Sequence, residues 1–284
     1  MRHYGEVAKI APDPLLSAMM DDCLKKGLDM TEGGAKYIFY APLVTGIANC
    51  VDSLEAIRKL VFEEGQITLG ELVEATRQNF EGREPLRQML MNRAPKYGND
   101  IERVDALVER VLRDIVARRD YWQERYPRFR FPVGIGTFES YARFGNRVGA
   151  SADGRLSQET LSSNYSPSVG MDRSGPTAAI RSSVFPPSVL KYVCGCPLDL
   201  QINSNEAAGD SGVERLQALI RSFLDLNGNI LTITGVSEEL LRDAQKHPER
   251  HRGLRVRLGG LSAYFVALPP KHQAIMIERV KHGV

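Results

Sequence analysis

Apolar residues along this chain recur mostly at helical spacing. The clearest run lies in residues 101–119, where Ile101, Val104, Leu107, Val108, Val111, Leu112, Ile115 and Val116 return every three or four positions. The other face of that run is charged, so one stripe should be buried and the other solvated. Asp13-Pro14 reads as N-cap and first turn of a helix with Leu15, Leu16, Met19, Met20, Cys23 and Leu24 on one face and Gly27 as its stop. Asp52-Ser53-Leu54-Glu55 has the spacing of a capping box ahead of Ile57, Leu60 and Val61, and Thr68 to Glu71 repeats the device for a helix ending near Phe80 to Gly82. Ser211 is expected to cap a helix that buries Val213, Leu216, Leu219, Ile220, Phe223 and Leu224, with Gly228 at its end.

Other segments alternate. Ile230-Leu231-Thr232-Ile233-Thr234 is rich in β-branched residues and predicts a strand, followed by a short helix from Ser237 to Gln245. Leu254, Val256 and Leu258 alternate with Arg255 and Arg257, Ala263 to Leu268 reads as a second short strand, and Pro270 opens a last helix with Ile275, Met276 and Val280 inside. Nearer the N-terminus, Glu32 to Tyr40 joins a glycine pair to an aromatic stretch suited to a loop entering a strand. Residues 128–190 are punctuated by glycine and proline. The interspersed Phe131, Phe138, Tyr141, Phe144 and Tyr165 favour ordered, site-lining loops over a disordered insertion. Helices alternating with short strands make an α/β protein.

Composition narrows the function classes. The 284 residues carry 37 basic and 35 acidic side chains, a net charge of +2 without a basic stripe, which argues against nucleic acid as a partner. The densest positive run, Arg118-Arg119 to Arg128 and Arg130, is interrupted by Asp120 and Glu124 and reads as a solvated helix end. No apolar run is long enough to span a membrane and Met1 to Gly5 has no signal core, so a cytoplasmic protein is expected. Cys23, Cys50, Cys194 and Cys196 have no disulfide or zinc spacing; Cys23 and Cys50 read as core thiols. Cys194-Gly195-Cys196 lacks a second pair, and His3, His247, His251, His272 and His282 form no metal spacing, so no metal site is expected.

The segment Val256 to Phe265 contains a bare pair, Gly259-Gly260, inside an alternating pattern where glycine weakens a strand. Two readings are open: a bulge or turn between short strands, or a position that needs an α-carbon without a side chain, from which a hydrogen can be taken to leave a planar radical flanked by two amides. Arg257-Leu258-Gly259-Gly260-Leu261-Ser262-Ala263 resembles the C-terminal signature of the glycyl radical enzymes, the pyruvate formate-lyase family, with Gly259 in place of the usual small residue and Leu261 in place of an aromatic. Further blocks resemble that family in order: Cys23 to Lys36, Ala48 to Phe62, Pro95 to Asp100, Asp153-Gly154-Arg155, Ser166-Pro167 to Ala178, Ala244-Gln245 with His247-Pro248-Glu249, and Gln273 to Arg279.

The resemblance implies the C-terminal portion, roughly half, of a ten-stranded α/β barrel wrapped by helices. Residues 1–160 would continue the pyruvate formate-lyase-like domain and residues 161–284 would form the glycine radical domain. It further implies Gly260 as the catalytic radical site, with no bound cofactor and a radical installed by a radical S-adenosylmethionine activase. The thiyl cysteine of the family falls before Met1, so turnover on a small-molecule substrate would need a companion chain or N-terminal half. Formate acetyltransferase-like or lyase chemistry, cleaving C–C, C–O or C–N bonds, follows from the family; Leu261 and Thr232-Ile233-Thr234 tilt away from its best-known branches. Alternatives are a radical-domain repair or binding module for a full-length relative, or an inactive fragment. A half barrel leaves sheet edges open and could pair as a homodimer. Asp153, Arg155 and Arg257 are candidate loop-fastening residues, Arg257 standing equally as a solvated edge-strand charge.

Overall fold

The computed structural model describes residues 4–137, 140–204, 207–258 and 261–282. Its helices are α1 (Tyr4–Ile10), α2 (Pro14–Ala18), α3 (Cys23–Lys26), α4 (Ile47–Ala56), α5 (Leu69–Arg77), α6 (Glu84–Asn92), α7 (Glu102–Arg125), α8 (Ser140–Gly145), α9 (Gly175–Val184), α10 (Gly209–Asp225), α11 (Glu238–Lys246) and α12 (Pro270–His282). Its strands are β1 (Ile38–Phe39), β2 (Leu43–Val44), β3 (Phe129–Arg130), β4 (Gly134–Ile135), β5 (Pro197–Ile202), β6 (Ile230–Gly235), β7 (Arg255–Leu258) and β8 (Leu261–Tyr264). The chain divides into a smaller unit, Met1–Pro42 with Ala117–Pro132, and a larger one, Leu43–Val116 with Val133–Val284.

In the smaller unit β1 and β3 pair in parallel, Ile38 opposite Phe129 and Phe39 opposite Arg130. The expected helix from Pro14 to Gly27 is broken. Asp13 does cap it, accepting from the Leu16 amide at 3.0 Å, but Asp22 takes a left-handed φ of 75° and splits the run into α2 and α3. Much of its apolar face is exposed, Leu15, Met19 and Leu24 at 74, 70 and 75 %, while Cys23 is buried.

In the larger unit the strand pairs are parallel except the last. Leu43 lies opposite Gly134 and Val44 opposite Ile135; β5 and β6 run together from Pro197 opposite Ile230 to Ile202 opposite Gly235, with α10 between them as the crossover. On one side of β5 and β6, Leu198, Leu200, Leu231 and Ile233 pack with Ala179 and Ile180 of α9 and Phe223 of α10. A second core sets Val104, Val108, Leu112 and Val116 of α7 against Ile47, Ala48 and Val51 of α4, Ile135, Tyr97 and Tyr165. Helix α7 thus follows the predicted stripe and runs on to Arg125.

The Thr68–Glu71 capping box forms as expected, with Glu71 N to Thr68 Oγ1 at 3.1 Å and Thr68 N to Glu71 Oε2 at 2.8 Å. Its counterpart at Asp52–Glu55 does not. Helix α4 begins at Ile47, after Gly46 at φ 79°, and both acids lie on its inner face. Asp52 accepts from the Tyr97 amide at 2.8 Å, and Glu55, fully buried, pairs with Arg58 and Arg103. Residues three apart share a helix face, so the spacing of a cap is also the spacing of two buried carboxylates. Helix α10 differs as well: it starts at Gly209, ahead of Ser211, and covers β5 and β6 with one face only, leaving Val213, Ile220 and Leu224 exposed. The second short strand ends at Tyr264, and Phe265–Ala267 turns as a 3₁₀ helix.

Candidate functional site

Strands β7 and β8 form an antiparallel hairpin in which Arg255 faces Tyr264, Val256 faces Ala263, Arg257 faces Ser262 and Leu258 faces Leu261. Gly259 and Gly260 stand between the last pair in sequence and lie outside the described residues. The hairpin is held from one side. Val256 and Phe265, 1 and 0 % exposed, pack with Leu241 and Ala244 of α11 and Met276 and Ile277 of α12, and the Phe265 amide closes onto the Leu254 carbonyl at 2.9 Å. Helix α11 is in turn capped by Ser237, whose hydroxyl accepts from the Leu240 amide at 3.2 Å. The outward face of the hairpin is basic. Arg255 lies over the Tyr264 ring at 5.4 Å, and Arg257, exposed, donates to Ser262 Oγ at 3.1 Å. Arg257 thus stands as an exposed strand charge bonded across the pair to Ser262.

Beside this bundle, the glycine-rich region is ordered by buried polar side chains. Asp153 is buried and accepts from Asn49 Nδ2 at 2.8 Å, Ser151 Oγ at 2.6 Å and the Arg155 amide at 3.2 Å. Arg155 donates to the carbonyls of Leu156 and Glu159 at 2.9 Å each and to that of Gly149, drawing the loop around itself. Both residues fasten the loop. Next to them Lys96 donates to the Leu90 carbonyl at 2.9 Å and the Asp153 carbonyl at 3.3 Å. Burial lowers the Lys96 pKa, opposed by Asp52 and Asp153, and burial pushes Asp52 up to about 7 against the pull of Lys96. These side chains line a cleft of about 470 Å³ that Lys271, Ile275 and Glu278 of α12 also border.

A second polar network lies on the side of β5 and β6 opposite α9 and α10. Asp199 accepts from Ser163 Oγ at 2.9 Å, Asn164 Nδ2 at 2.7 Å and Thr232 Oγ1. Asn164, at φ 48°, also takes the Thr137 amide on its Oδ1 at 2.8 Å. Farther along β5, Gln201 reaches Met276 of α12 through a 4.0 Å N–H···S contact. The signal was present in the alternation Leu198-Asp199-Leu200-Gln201-Ile202, whose two polar positions share a face.

The cysteines divide differently from expectation. Cys23 is buried, but Cys50 is exposed, since it sits on the outward face of α4 while Ala48, Val51 and Asp52 turn inward. Partial desolvation of its sulfur, and the Asp153 carboxylate, raise its pKa. Cys194 is exposed and Cys196 buried, with burial pushing the Cys196 thiol up to about 12. Their segment packs alongside β4: the Ile135 amide donates to the Gly195 carbonyl at 2.8 Å and the Cys194 amide to the Val133 carbonyl at 3.2 Å. Among the described residues no group of three or more His, Cys, Asp or Glu is arranged to hold a metal ion, and no helix is long and apolar enough to cross a membrane.

Comparison with known proteins matches two family models, pyruvate formate lyase-like over residues 3–145 and glycine radical over residues 161–266. The "Probable dehydratase YbiW" of Escherichia coli is 37 % identical over 278 residues, which are 95 % of this chain and 34 % of that protein. The isethionate sulfite-lyase of Nitratidesulfovibrio vulgaris is 36 % identical over 293 residues, 100 % of this chain and 34 % of its own length. Among solved structures, the glycerol-bound B12-independent glycerol dehydratase of Clostridium butyricum superimposes with a TM-score of 0.86 at 35 % identity, covering 96 % of this chain and 34 % of that one. The chain therefore has the fold of the C-terminal portion of this α/β barrel and spans about a third of the length of the curated relatives it matches.

Proposed function

Because the chain belongs to the glycyl radical enzyme family, we propose that it is the radical-bearing C-terminal part of a lyase, with Gly260 as the residue that stores the radical. The observation that carries this reading is the glycine radical match over residues 161–266, which spans a hairpin anchored on its own buried core with a glycine pair between its strands in sequence. On this reading residues 1–160 complete the pyruvate formate lyase-like domain and residues 161–284 form the glycine radical domain. A radical S-adenosylmethionine activase generates a carbon radical that takes the Gly260 α-hydrogen as an atom, proton and electron together, leaving an unpaired electron delocalised over the adjoining amides.

Turnover then requires a cysteine thiyl from a companion chain or N-terminal half. The exposed apolar residues of α2 and α3, Leu15, Met19 and Leu24, fit a surface that such a partner covers. Relatives named dehydratase and sulfite-lyase favour elimination from a small substrate over formate acetyltransferase-type transfer, with C–O or C–S cleavage as the leading step. The alternative of a radical-domain repair module is less well supported, because the pyruvate formate lyase-like match occupies residues 3–145.

The test is anaerobic electron paramagnetic resonance after incubation with a radical S-adenosylmethionine activase. A glycine-type doublet is expected, lost in Gly260→Ala. Oxygen exposure of the activated chain should cut at Gly260 and release the segment running from 260 to 284. Absence of the doublet with several competent activases overturns the assignment of Gly260.

A further inference from the structure

Within the smaller unit, the end of α7 carries a continuous run of aromatic and guanidinium contacts on an exposed face. Arg118 lies over the Tyr121 ring at 5.7 Å; Tyr121 meets Trp122 edge-on with centroids 5.2 Å apart; Trp122 stacks on Tyr126 at 5.8 Å and 18°; Arg125 lies over Tyr126 at 6.0 Å. Tyr121 and Trp122 remain 49 and 40 % exposed. The chain reversal after the helix is pinned beneath them, Gln123 Nε2 donating to the Phe129 carbonyl at 2.7 Å and the Phe131 amide to Gln123 Oε1 at 3.2 Å. The backbone that follows the rings is therefore fixed before any partner arrives, which lowers the ordering cost of docking there.

The charge of this face selects the partner. Arg119 pairs with Asp120 at 2.6 Å and Arg128 turns to the Gly33 carbonyl at 3.4 Å, while Arg118 and Arg125, both exposed, stand over the rings. Exposed tryptophan, tyrosine and arginine grouped on a rigid element is the composition of an interface hot spot, and guanidinium groups so held present their N–H donors to carboxylates. We propose that this end of α7 is a docking surface for an acidic polypeptide segment of a partner protein. A nucleic acid fits less well, because base stacking needs open ring faces and Trp122 and Tyr126 turn theirs toward each other.

Trp122 is the only tryptophan of the chain, so its fluorescence reports directly on this face. Titration of the full chain with a synthetic oligoglutamate should produce a saturable change in Trp122 emission that weakens with added salt. The double reversal Arg118→Glu with Arg125→Glu should weaken binding on the order of tenfold or more. The control reversal Arg147→Glu with Arg252→Glu, at two exposed arginines elsewhere that change net charge equally, should leave binding unchanged. In Trp122→Phe the emission signal disappears, and anisotropy of a labelled oligoglutamate should show binding weakened several-fold. No saturable change, equal weakening by both double reversals, or binding of oligodeoxythymidylate as tight as that of oligoglutamate would each overturn the proposal.

Discussion

Replacing Phe265 by alanine should loosen the glycine hairpin while leaving the rest of the larger unit intact. Phe265 is 0 % exposed and packs with Val256 of β7, Leu241 and Ala244 of α11, and Met276 and Ile277 of α12. Truncating a buried phenylalanine removes transfer free energy and leaves a cavity, costing about 3–5 kcal/mol. The core it belongs to is separate from those around α7 and around β5 and β6, so the loss falls on opening of the hairpin and its two helices. A loss of about 3 kcal/mol raises the equilibrium population of that opening by roughly a hundredfold. Hydrogen–deuterium exchange followed by peptide mass spectrometry reads this directly. Peptides covering 254–277 should exchange about a hundredfold faster, and those covering 104–116 should not change. Unaltered exchange around the Phe265 amide, or an equal rise in α7, refutes the claim that the hairpin is held by its own core. Arg257→Ala is the contrast: the residue is exposed and should shift stability by less than about 0.5 kcal/mol.

Further outcomes follow from the buried groups. Asp52 has a folded pKa of about 7 against an ordinary value of 3.8, so the stability contributed by its neutral form is complete below pH 4 and lost as pH rises through about 7. Thermal melts across that window should fall for the parent chain and fall less in Asp52→Asn, where buried Asp105, raised to about 6, still titrates; parallel profiles would show that Asp52 does not titrate there. In Gly134→Ala the new Cβ would stand 2.8 Å from Cys194 Cβ and 3.0 Å from its carbonyl carbon and oxygen, costing about 1–3 kcal/mol in a urea titration, and an unchanged midpoint would mean the Cys194 segment gives way. Native alkylation should label Cys194 well ahead of Cys196, which is buried with a thiol pKa near 12; equal labelling would contradict that burial.

Much of the local structure was legible. The stripe of α7, the Thr68–Glu71 box, the short helix after Ser237 and the strand from Ile230 each depend on neighbours within a few residues, and each formed. The misreadings share a cause. Asp52 and Glu55 carry a helix-start spacing, yet their surroundings come from Tyr97, Arg58 and Arg103, so burial and pairing override the local pattern. Cys50 adjoins apolar residues in sequence but projects from the outer face of its helix. Helix α10 has apolar residues on more than one face, and spacing alone does not say which face meets β5 and β6.

By itself, the sequence determined the family, the alternation of helices with short strands and the glycine pair between two alternating segments, because ordered motifs and backbone requirements are written in local residue types. Tertiary structure alone decided which partners Asp153 and Arg155 use to fasten the loop, the Asp199–Asn164–Thr137 network, and the assembly of Trp122 with its neighbouring rings and arginines on one exposed face. Those roles rest on hydrogen bonds and contacts whose direction depends on how strands and helices meet. A side chain's partners across 27 or 104 positions, as in Thr137 to Asn164 and Asn49 to Asp153, are set by the packed fold and leave no periodicity in the chain.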